Sequence, residues 1–156
     1  MNTIRAQATS TMRLPPYGID TSTPDGLSRA YAIGAGECLY SARKLDDGFG
    51  ALTAEYIITF HAIELGLKAF LVKQGLTEDQ LRRKPFGHNL IGLFEGAKRR
   101  GLALDLANAD EFIAWVNEWH CEGVKIRYDF TEARTLPMCQ DLFPLIEAIL
   151  AACRSP

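Results

Sequence analysis

The stretch that most constrains this chain is residues 56–72, YIITFHAIELGLKAFLV, in which only His61, Glu64 and Lys68 interrupt a run of apolar or small residues. At ~100° per residue, Tyr56, Phe60, Ile63, Leu67, Phe70 and Leu71 cover one broad side of a helix. Ile58, Ala62, Leu65, Ala69 and Val72 cover much of the other. A helix that is apolar nearly all round must be surrounded by other elements, so this one is expected at the centre of the fold. It is marginal in length for a membrane span and carries three polar groups, which favours a core helix.

Those three groups fall on a narrow stripe between the two apolar surfaces. Glu64 and Lys68 stand at i, i+4 with the carboxylate first, the favourable order for a helical ion pair. On a central helix both charges lose water and need partners. The candidates are His61, His88 in FGHNL, and Arg127 and Tyr128 in KIRYDF. Three readings stay open: a buried network pinning the central helix to the 123–130 segment, a cleft that binds or acts on an anion, and a solvated stripe.

The rest of the pattern supplies the surroundings. Residues 1–25, with LPPYG and TSTPDG, lack helical periodicity and read as an arm. The remainder, 26–156, reads as one helical domain. A helix is predicted over 26–44, where Gly34 and Gly36 cost helix propensity and imply close approach to a neighbour. The central helix is predicted over 50–73, with Gly75 as its stop. TEDQ at 77–80 has the form of a capping box opening a short helix before Pro85. Further helices are expected over 89–100, over 109–121 with Asn108 as cap, and within 138–153, where Pro144 occupies the first turn or kinks the helix. No period-two alternation is long enough for a sheet. The expected fold is an all-α, up-and-down bundle of four to five helices.

Composition excludes some classes. The net charge of −2 sets up no global field toward nucleic acid or anionic membrane, which leaves only local patches. Two are candidates, LRRK at 81–84 and AKRRG at 97–101, although the second also suits a helix C-terminus. The four scattered cysteines form no C-x-x-C pair and suggest reduced thiols. The first residues have no apolar signal-type core, so the expected location is cytoplasmic, with no membrane partner. His120, Cys121 and Cys139 match no metal-ligand spacing, and no phosphate-loop, dinucleotide or G-x-S-x-G motif occurs, so neither metal nor cofactor is expected.

Four segments in order, AYAIGAGECLYSA, FHAIELGLKAFLVKQG, FGHNLIGLFEGAKRRGL and IRYDF, resemble HEPN domain proteins of prokaryotes. The shared features are an E-x-x-x-K central helix, a GH-[DN]-L helix start and a later RY, spread over about residues 27–153. The resemblance implies a helical bundle, commonly a homodimer, often paired with a nucleotidyltransferase-type antitoxin in toxin–antitoxin or defence settings. Active members are ribonucleases that work without metal, through an R-x(4–6)-H motif on a late helix. There Arg stabilises phosphorane-like charge while His moves the proton of the attacking 2′-OH. In this chain the only pairs with that spacing are Arg82 or Arg83 with His88, ahead of the helix expected at 89–100. Arg127 is followed by no histidine at that distance. The catalytic candidates are therefore His88, Arg83 and Arg127, and the binding network is His61, Glu64, Lys68 and Tyr128. The expected role is an interaction module for nucleotide, RNA or a protein partner. The alternatives are a metal-independent ribonuclease and a purely structural partner subunit.

Overall fold

The computed structural model describes residues 18–46, 53–120 and 137–154. Among these the chain is all-helical: α1 (Pro24–Leu45), α2 (Thr53–Lys73), α3 (Glu78–Arg82), α4 (Leu90–Lys98), α5 (Ala109–His120) and α6 (Cys139–Arg154). Six helices replace the expected four to five because the five-residue α3 counts as one. None of them is long and apolar enough to cross a membrane.

The sequence signals explain most of the helix ends. Thr23 caps α1 by accepting from the Gly26 N–H, and Pro24 begins the helix, where a missing N–H costs nothing. TEDQ forms the full capping box: the Thr77 hydroxyl accepts from the Gln80 N–H, and the Gln80 side chain accepts from the Thr77 N–H. Asn89 caps α4 rather than belonging to it. Gly75 and Gly101, both at positive φ, lie just past the ends of α2 and α4. Pro144 is the sixth residue of α6, so it lies beyond the first turn. The predicted start of α2 at residue 50 falls outside the described residues.

Helix α2 is the centre. It contacts α1, α4, α5 and α6, and Phe60, Ile63, Leu67 and Leu71 are fully enclosed. Around them pack Leu39 of α1, Leu90 and Leu93 of α4, Ile113 and Val116 of α5, and Leu142, Ile146 and Ile149 of α6. Fully burying one such aliphatic side chain is worth about 1.5–3 kcal/mol, so this single cluster is the main source of cohesion. Of the two glycines expected to admit a neighbour in α1, only Gly34 does so. A Cβ there would stand 3.2 Å from Leu65 Cδ1, whereas one at Gly36 would meet open space. Trp119 is buried in the core, and Trp115 meets Phe60 edge-on at 6.0 Å.

Candidate functional site

Glu64 lies mid-way along α2 with 2% of its side chain exposed. A carboxyl buried so deeply must find donors or give up its charge, and three side chains supply them. Lys68 Nζ donates to Oε1 at 2.5 Å. His120 Nε2 lies 2.6 Å from Oε2. His88 Nδ1 is 3.1 Å from each oxygen. Burial is the largest influence on this carboxyl and opposes ionisation. The bonds from His120, Lys68 and His88, with the Lys68 charge, outweigh it and hold the pKa well below the carboxylate range.

Ionised, Glu64 only accepts hydrogen bonds, and this assigns the protons. His88 carries one on Nδ1 and His120 one on Nε2. The nitrogen of His88 left over, Nε2, belongs to a ring that is 74% exposed, whereas the His120 ring is only 13% exposed. The two imidazoles face each other at 6.3 Å in a T-shaped arrangement, and the His120 ring also meets Phe60 edge-on at 6.3 Å. Glu64 thus ties an enclosed imidazole and an open one to the central helix.

Each of the three elements is held for a visible reason. Lys68 comes from the same helix by the i, i+4 spacing. His120 ends α5, whose Ile113 and Val116 are buried against the core at spacings that carry His120 inward. His88 sits in the 83–89 loop, which is folded against α4. The Gly87 N–H donates to the Leu81 carbonyl, and Gly87 takes a positive φ of 62°. A Cβ at Gly92 would stand 2.0 Å from the Pro85 carbonyl oxygen, so only glycine lets the loop lie this close. The Lys84–Pro85 peptide is cis. Asn117 of α5 accepts from the Leu90 N–H at 2.7 Å and Asn89 from the Gly92 N–H, so the α4 N-terminus is tied both to α5 and to the loop.

Among the described residues, two other candidates, Arg83 and His61, make no hydrogen bond to Glu64. Arg83 is exposed and caps the end of α3 through its backbone, while the bonds to Glu64 come from Lys68, His88 and His120. His61 is exposed and gives Glu64 no hydrogen bond. Its pKa is lowered, first by the desolvation its neighbours impose, with the Glu64 charge acting in the opposite sense. Arg127 and Tyr128 lie outside the described residues, as does the 123–130 segment that a buried network was expected to reach. Within the described residues, the network ties α2 to the His88 loop and to α5. Sequence reasoning considered His120 only with Cys121 and Cys139. Cys139 is elsewhere, against Thr59 and Glu55, and burial above all pushes its thiol up to about 12. Burial also raises the Cys38 and Cys153 thiols, so none of the three described cysteines is an activated nucleophile.

The basic runs are partly neutralised. Arg82 pairs with Glu78 at 2.7 Å, and Lys98 is held between Glu95 and Asp110. Arg100 donates to the Gly96 carbonyl at the end of α4. Arg83, Lys84 and Arg99 remain as exposed cations beside them.

No family model matches this chain, and neither a curated protein nor a solved structure does.

Proposed function

We propose that this chain is a HEPN-like module that binds a phosphate-bearing ligand, a nucleotide or RNA, at the Glu64 centre. The observation that carries the reading is the asymmetry of the two imidazoles on one buried carboxylate. His120 is enclosed and fixes the geometry, while His88 presents a ring with one nitrogen committed to Glu64 and the rest open to solvent. In its cationic form His88 donates from Nδ1 to Glu64 and from Nε2 to an incoming phosphate oxygen, a charge-assisted bond. Arg83 and Lys84 are exposed in the same short loop and add positive charge beside it. The sequence resemblance supports the toxin–antitoxin or defence setting, a homodimer and a nucleotidyltransferase-type partner.

The test is equilibrium binding of a labelled single-stranded RNA and of ATP at low salt. Binding that weakens about tenfold in His88→Ala, roughly 1.4 kcal/mol, supports the reading. Equal binding by wild type and variant contradicts it.

A second reading, metal-independent ribonuclease, is favoured by the Nδ1–Glu64 bond itself. In neutral His88 this bond turns the Nε2 lone pair outward, as a general base for a 2′-OH requires. RNA cleavage in EDTA that falls 10²–10⁴-fold in His88→Ala supports it. Cleavage independent of His88 removes that residue from the chemistry.

A further inference from the structure

The hydrogen bonds around Glu64 leave one geometric fact unused. A Glu64 carboxylate oxygen, a His88 nitrogen and a His120 nitrogen all lie within 4.8 Å of one another. Two imidazoles and one carboxylate are the donor set of divalent transition-metal sites, including zinc centres that keep an open position. Ligand atoms around one tetrahedral zinc stand roughly 3.4 Å apart, given metal–nitrogen bonds of about 2.0–2.1 Å. The separations of 2.6 and 3.1 Å between Glu64 and the two rings are hydrogen-bond distances, shorter than that spacing, so the groups must move slightly apart to admit the ion, and the exposed His88 ring is free to adjust.

We propose that Glu64, His88 and His120 form a binding site for a divalent first-row transition metal such as Zn²⁺. The ion takes Glu64 Oε2, His88 Nδ1 and His120 Nε2, the positions now bridged by two N–H protons. Each neutral imidazole keeps its proton by moving it to the other ring nitrogen, so ligation needs no outside proton acceptor. Lys68 stays on Oε1, where its 2.5 Å bond orients the carboxylate and leaves the second oxygen for the metal. Three protein ligands leave at least one coordination position open, on the side where His88 meets solvent. The donor set is all nitrogen and oxygen. It is assembled from α2, the 83–89 loop and the end of α5, which is why the spacing of His120, Cys121 and Cys139 gave no sign of it. The inference does not rest on the phosphate reading, because the ion is sought on the chain alone.

The experiment uses the full chain, stripped with EDTA and desalted, titrated with ZnCl₂ by calorimetry and separately with Co²⁺ by absorption. The expected result is one equivalent bound per chain, with Co²⁺ showing ligand-field bands but no thiolate charge-transfer band. His88→Ala removes an exposed ring and should weaken Zn²⁺ binding at least about tenfold while the variant still unfolds in one cooperative thermal transition in EDTA. Absence of uptake, unchanged affinity in His88→Ala, or a thiolate band placing the ion on cysteine would each overturn the proposal.

Discussion

Two ion pairs in this molecule share one spacing and have opposite consequences. Glu64–Lys68 and Glu78–Arg82 are both i, i+4 pairs with the carboxylate first, at 2.5 and 2.7 Å. The first has side chains 2% and 13% exposed, the second 45% and 70%. In α3 the pair is a solvated surface contact, screened by water and salt. In α2 the same motif is sealed by the surrounding helices, so its charges must be fully partnered, and the partners drawn in are two histidines from distant parts of the chain. The pairing rule is local, but its weight is set by the desolvation that the fold imposes.

The sharpest way to break this contrast is to remove each carboxylate. Glu64→Ala strands the largely enclosed Lys68 charge and releases both imidazoles, and should cost about 3–5 kcal/mol in urea unfolding. Glu78→Ala should cost no more than about 1 kcal/mol. Similar losses for both would show that Glu64 is as well solvated as Glu78. Removing the cations gives a smaller difference. Lys68→Ala leaves Glu64 two histidine donors, so the expected loss is about 2 kcal/mol, that of a single charge-assisted bond. Arg82→Ala should cost about 0.3–0.5 kcal/mol. A Lys68 effect as small as that of Arg82 would mean that the histidines carry the carboxylate alone.

Loop placement can be tested apart from charge. Gly92→Ala forces a Cβ onto the Pro85 carbonyl and should cost about 1–3 kcal/mol through displaced backbone. It should also move His88 away from Glu64, seen as a changed His88 imidazole signal in NMR. A neutral Gly92→Ala with an unaltered signal would show that the 83–89 loop is not held by this contact.

The pH dependence follows from the Glu64 carboxyl, whose folded pKa is depressed below its ordinary 4.5. A depressed acid stabilises the fold above its unfolded pKa and loses that contribution as pH falls through the folded value. Wild-type stability should therefore begin to drop below about pH 5 and continue downward, more steeply than in Glu64→Gln. Parallel acid limbs in the two proteins would place the carboxyl at its ordinary value.

How much of this could be read from the residues depends on range. The central helix was legible because its apolar run covers all but a narrow stripe of its surface, the stripe that holds the exposed His61. The capping box was legible because both of its partners lie within four residues. Glu64–Lys68 follows from helical spacing, and His88 was among the few polar groups available to them. His61 is a helical neighbour of Glu64 at i, i+3, yet its side chain is exposed and makes no hydrogen bond to that carboxylate. His120 was passed over because its contact spans 56 positions and its neighbour Cys121 suggested another chemistry. A signal was present: Ile113, Val116 and His120 recur at spacings of three and four, so His120 continues the buried face of α5. Arg127 and Tyr128 fall outside the described residues.

The most direct test of the central claim, that one buried carboxylate organises the site, is a double-mutant cycle between Glu64→Gln and His120→Ala, read by urea unfolding at neutral pH in EDTA. The account predicts a coupling of at least about 1 kcal/mol, because the two side chains share a bond away from water. Single-variant losses that add to within about 0.3 kcal/mol would contradict it.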